Sequence, residues 1–93
     1  MTLSEFQAEL QAGHYSTAIP LHREAGYQLA GHDHSFDACA FVTAGDITLV
    51  VDGVATRYQA GDVFRLPAGT EHQESAGPEG VSYLSGRREN GAS

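Results

Sequence analysis

Turn signals after Gly13 divide this chain into runs too short for anything but strands. The sharpest is Asp52-Gly53, set between two apolar segments. Both central residues of a type I′ hairpin turn need positive φ, and Asp-Gly supplies them at low cost. Ala44-Gly45-Asp46, Ala60-Gly61-Asp62 and Pro67-Ala68-Gly69-Thr70 read as further reversals. Strands are expected at 17–21, 27–34, 38–43, 47–51, 54–59, 63–66, 72–75 and 81–84. Many short strands joined by regular turns predict an all-β sandwich or barrel. Only residues 2–12 differ. Leu3, Phe6 and Leu10 fall at helical spacing, and Thr2/Glu5 and Ser4/Gln7 each resemble a capping box before a stop at Gly13. A short amphipathic helix packed outside the domain is expected.

A chain of 93 residues suits one domain over 1–93, with a helix at 1–13, a barrel at 16–86 and a polar, fraying tail over 87–93. Twelve acidic residues against five basic ones give a formal net charge of −7. That surface repels phosphate backbones, so no nucleic-acid partner is expected. No apolar stretch is long enough to span a bilayer, and no basic region precedes an apolar run as in a signal peptide. Cys39 is the single cysteine, which rules out an intramolecular disulfide and a Cys-rich zinc site. A cytoplasmic setting is the expectation.

Three of the five histidines carry information. His32 and His34 stand two apart in a β-like run, and residues i and i+2 of a strand share a face. Two imidazoles on one face suit neighbouring positions on one metal ion. His72 follows the Pro67-x-Gly69 turn, and a strand laid beside the first two would add a third nitrogen. Imidazole nitrogens bind Zn at about 2.0–2.1 Å, and also suit Fe, Cu and Ni. Spacing alone leaves two surface histidines as the ordinary alternative.

Two longer frames bear on that choice. Gly26, five residues, His32-Asp33-His34, three residues, Ala38, six residues and Gly45 follow one frame. Gly61, five residues, Pro67-Ala68-Gly69, two residues, His72, three residues and Ala76 follow a second, with fifteen residues separating Gly45 from Gly61. These resemble the two motifs of the cupin superfamily, with the short spacer of small bacterial single-domain cupins. The resemblance covers about residues 26–76. It implies a cupin-type double-stranded β-helix, a jelly-roll barrel, with the short N-terminal helix added. It also implies His32, His34 and His72 as ligands of one divalent transition metal: Fe, Zn, Ni, Mn or Cu. Two positions depart from the motifs. The usual glutamate ligand is replaced by Ala38, and the closing asparagine by Ala76. Alanine cannot coordinate, so the site resembles the three-histidine cupins, among them thiol and β-diketone-cleaving dioxygenases. Loss of one carboxylate makes the site more positive and better suited to an anionic, chelating substrate.

Two carboxylates stand near the vacant slot. Asp37 precedes it and on a regular strand points to the opposite face. Glu74, two residues after His72, shares the inward face and is the candidate for a fourth ligand, a partner of a histidine N–H, or a base. Cys39 should face away from the slot as a small buried residue. His14 and His22 read as surface residues. Tyr27, Tyr58 and Tyr83 either line the cavity or pack the sheets. The functional expectation is an oxygenase-type enzyme acting on a small organic anion, with Glu74 moving a proton. The alternative is a non-catalytic metal- or ligand-binding sensor or accessory cupin. A small-molecule ligand and a homodimer are expected with either.

Overall fold

The computed structural model describes residues 1–89. A helix, α1 (Leu3–Ala12), is followed by β1 (Ile19–Arg23), β2 (Gln28–His32), β3 (Phe36–Val51), β4 (Val54–Gln59), β5 (Val63–Leu66) and β6 (His72–Glu89). All pairings are antiparallel. Among the described residues, no helix is long and apolar enough to cross a membrane.

The helix begins as the sequence predicts. The Thr2 hydroxyl accepts from the Glu5 amide at 3.1 Å, and the Glu5 carboxylate accepts from the Thr2 amide at 2.8 Å. Of the two capping boxes, the first is thus the one that caps. Phe6 and Leu10 are buried, whereas Leu3 is exposed at the first turn. The Asp52-Gly53 hairpin also forms as expected, with φ of 52° and 78°.

The main departure concerns β3 and β6. Residues 38–43 and 47–51 were expected as two strands with a turn at Ala44-Gly45-Asp46, and 72–75 and 81–84 as two more. Each pair is one long strand with a bend. The register slips on either side of Ala44-Gly45, and Gly45 takes φ 71°. A bulge there bends the strand without ending it. A Cβ at Gly45 would collide with the Gly80 carbonyl, so the two bends cross at closest backbone approach. β6 continues to Glu89, which corrects the expected tail at 87–89; residues 90–93 lie outside the described residues.

Because β3 and β6 bend, each serves two sheets. The first half of β3 lies between β5 and the second half of β6, which also pairs with β1. The second half of β3 lies between β4 and the first half of β6, which also pairs with β2. This is the all-β double-stranded β-helix. The bulge shifts the inward face from even to odd positions: Ala38, Ala40 and Val42 before it, Ile47 and Leu49 after it. These residues pack with Phe64, Leu66, Val81 and Tyr83 inside the barrel. The opposite face of β3 presents Cys39 and Phe41 to Phe6 and Leu10 of α1. Phe6 stacks on Phe41 with ring centroids 5.4 Å apart. The Arg65 Nε donates to Glu9 at 2.6 Å beside this contact.

Candidate metal centre

His72 opens β6 and is the one fully polar side chain buried among the described residues, at 1% exposure. Burial of an imidazole demands partners for both nitrogens. Its Nδ1 lies 2.9 Å from the Thr70 carbonyl. A carbonyl only accepts, so Nδ1 carries the proton and Nε2 is left facing the barrel interior. The loop before it is held at two points. The Ala68 amide donates to Asp37 Oδ1 at 2.7 Å, and the Gly69 amide donates to the His34 carbonyl at 2.9 Å. The turn that delivers His72 is therefore tied to the segment that delivers His34.

His32 ends β2 and is the direct cross-strand partner of His72. Side chains so paired sit against one another, and the two rings are 4.3 Å apart. The His32 Nδ1 lies 3.2 Å from the Ala30 carbonyl, the same two-residue backward contact that His72 makes. His34 lies beyond the end of β2, so strand alternation does not place it. Its ring nevertheless sits 4.9 Å from His32 and 5.2 Å from His72. Phe36 stacks on it at 4.7 Å and 20°, and the Arg87 guanidinium lies 3.9 Å over the Phe36 ring. Burial, and then the neighbouring His32 and His72, hold the His34 pKa below its ordinary value. One donor atom from each of the three histidines lies within 4.8 Å of the others.

Glu74 lies beside this cluster. Its Oε2 is 3.0 Å from His72 Nε2 and 3.7 Å from His32 Nε2. Its Oε1 accepts from the Tyr27 hydroxyl at 3.2 Å. Asp37, the other carboxylate weighed from the sequence, is committed elsewhere. Besides the Ala68 amide it accepts from Arg88 at 2.8 and 3.0 Å, and these partners hold its pKa below the usual carboxylate range. Ala38 is buried in the apolar core.

The remaining expectations sort cleanly. Cys39 is fully buried against α1, and burial pushes its thiol up to about 11. His22 is exposed, 2.9 Å from Ser82 Oγ and 3.3 Å from Glu24. Tyr58 and Tyr83 pack in the core, while Tyr27 reaches the cluster through Glu74. Sequence reading missed Arg23, which lies on the inward side of β1 with its guanidinium 5.1 Å from the Tyr27 ring centroid. The signal was present: Leu21 and Arg23 are two apart, so they share a face.

Solved structures share this architecture at low identity. A cupin-2 domain containing protein from Shewanella frigidimarina matches with a TM-score of 0.62 and 23% identity, over 74% of this chain and 67% of that one. KdgF from Halomonas sp. matches with a TM-score of 0.63 and 24% identity, over 75% and 67%. The Clostridium difficile EutQ protein matches with a TM-score of 0.70 and 15% identity, over 86% and 56%. The chain spans about two thirds or less of these proteins' length, and identity at this level speaks for the fold alone. No curated protein matches the sequence. Residues 8–85, which carry both motif frames and all but the first turns of the helix, match the family model described as a cupin domain, and the chain belongs to that family.

Proposed function

We propose that this cupin binds one divalent transition metal through His32, His34 and His72, with Glu74 completing the donor set. One contact carries the reading. A neutral His72 protonated at Nδ1 turns a lone pair towards Glu74 Oε2 across 3.0 Å. Two lone pairs so placed repel unless a cation lies between them, whether a proton or a metal ion. The backbone carbonyls at Ala30 and Thr70 fix both ring orientations, as the outer partners of metal-bound histidines do. Cupins commonly bind a metal and act on small molecules, and the donor set suits Fe, Zn, Ni, Mn or Cu.

On this reading the protein is an oxygenase-type enzyme acting on a small organic anion. The metal, when bound, supplies Lewis acidity and, if it is iron or copper, one-electron chemistry towards O2. The chain's own residues orient and hold protons. The Tyr27 hydroxyl holds Glu74 Oε1, which turns Oε2 towards the histidines; Glu74 moves a proton for the ligand only when that oxygen is not bound to the metal. A second reading, a non-catalytic binder, draws support from the His32 side chain, 26% exposed at the mouth. A cytoplasmic homodimer belongs to the same proposal; the buried, reduced Cys39 and the half-exposed Ile19 on the open edge of β1 support it.

Elemental analysis of the purified protein tests the metal. About one transition metal per chain is expected, and His72→Ala should lose most of it. Full occupancy in His72→Ala would overturn the donor set. Oxygen uptake by anaerobically iron-loaded protein, offered β-diketones and thiols, separates enzyme from binder.

A further inference from the structure

The chain has no lysine and five arginines, so each cation can be followed individually. Arg57, Arg65 and Arg88 pair with Asp46, Glu9 and Asp37. Arg87 lies over the Phe36 ring. Arg23, like Arg87, forms no ion pair among the described residues, and what sets it apart is a buried Nε without a hydrogen-bond partner. In a chain with twelve carboxylates, a buried guanidinium nitrogen left unpaired is costly and calls for a reason.

Its position supplies one. Arg23 pairs in register with Val81, and Leu21, on the same face, pairs with Tyr83. Both Leu21 and Tyr83 belong to the barrel interior, so Arg23 enters the barrel from β1. It lies over the Tyr27 ring, whose hydroxyl holds Glu74, whose other oxygen meets His72. Tyr27 and Tyr83 both feel the two charges: burial and then Glu74 raise each phenol, and Arg23 opposes them. One wall of the barrel thus runs from the Arg23 guanidinium, past a phenol ring, to the histidine cluster.

We propose that Arg23 binds the carboxylate of a small carboxylic acid ligand, whose other end faces His32, His34 and His72. A guanidinium takes a carboxylate side-on through Nε–H and one Nη–H, and the unpartnered Nε is half of that fork. The inference deepens the metal reading by naming the ligand class, and it rests on that reading only for what the far end of the ligand meets.

Calorimetric titration of cobalt-loaded protein with malonate, succinate and pyruvate, against neutral acetamide, tests it. At least one carboxylate should bind well above acetamide. Arg23→Met should weaken that carboxylate about tenfold or more, Arg23→Lys should recover part of the loss, and cobalt content should stay at the wild-type level. Arg23→Met should also melt no lower than wild type, because a partly buried cation without an ion pair, its Nε unpartnered, is replaced by an apolar chain of similar length. Equal carboxylate affinity in wild type and Arg23→Met, or no carboxylate bound above acetamide, overturns the proposal while leaving cobalt binding intact. A marked fall in melting temperature for both variants assigns Arg23 a structural role instead. Failure of the wild type to take up cobalt overturns the metal reading alone. The same titration on cobalt-free protein still tests Arg23, since its pairing with a carboxylate needs no ion.

Discussion

Glu74 holds the most consequential position of any single residue. It accepts from Tyr27 with one oxygen and faces two imidazoles with the other. Glu74→Gln keeps the shape and removes the charge. Metal affinity should fall about tenfold or more, measured by competition with a coloured chelator. Unchanged affinity would place Glu74 outside the donor set. Much of this cluster was legible in the sequence. The frames around His32, His34 and His72 marked the histidines, and the two-residue step from His72 marked Glu74. The reason His34 joins them was not legible. It lies past the end of β2, and its placement depends on Phe36 below it and on a backbone bond from Gly69, both set by tertiary packing. Arg23 escaped notice because alternation says which face a residue takes, but not whether a cation there finds a partner.

Among the elements, the loop over 67–71 matters most, because it presents His72. Asp37 braces it through the Ala68 amide and anchors that brace to Arg88 in β6. Both partners favour the ionised carboxylate and lower its pKa. The stability this gives is fully present above the ordinary aspartate pKa near about 3.9, and is lost as pH falls through the lower value of the folded state. Asp37→Asn should therefore melt lower at neutral pH and fall off less steeply below about pH 4. Melting curves against pH check this, and parallel curves for the two proteins would show that the brace contributes nothing. Turn chemistry located this loop and the Asp52-Gly53 hairpin correctly. It misread Gly45, because positive φ at a glycine signals a sharp change of direction, and a bulge inside one strand meets that need as well as a turn between two. Only the partner strand, running past the bend on the same side, distinguishes them.

On the scale of the whole molecule, β6 is the last described element and, like β3, is shared by both sheets. It pairs with β1, β2 and β3, and its pairing with β3 joins Phe36 to Glu89. Composition and turn spacing predicted this all-β architecture but counted eight strands for six, because they are silent on which strands run on through a bend and are shared. The sharing has a kinetic consequence. Contacts so distant along the chain make folding slow, because loop closure precedes its reward. His32 and His72 become neighbours only when the first half of β6 docks on β2. An ion that needs both histidines has nothing to hold until that late step. Metal should then act as a lock rather than a template: it should slow unfolding in proportion to the stability it adds and leave the refolding rate nearly unchanged. Stopped-flow refolding and unfolding with and without cobalt would show this as a shift in one limb of the denaturant dependence. A faster refolding limb would mean instead that the histidines gather before the barrel closes.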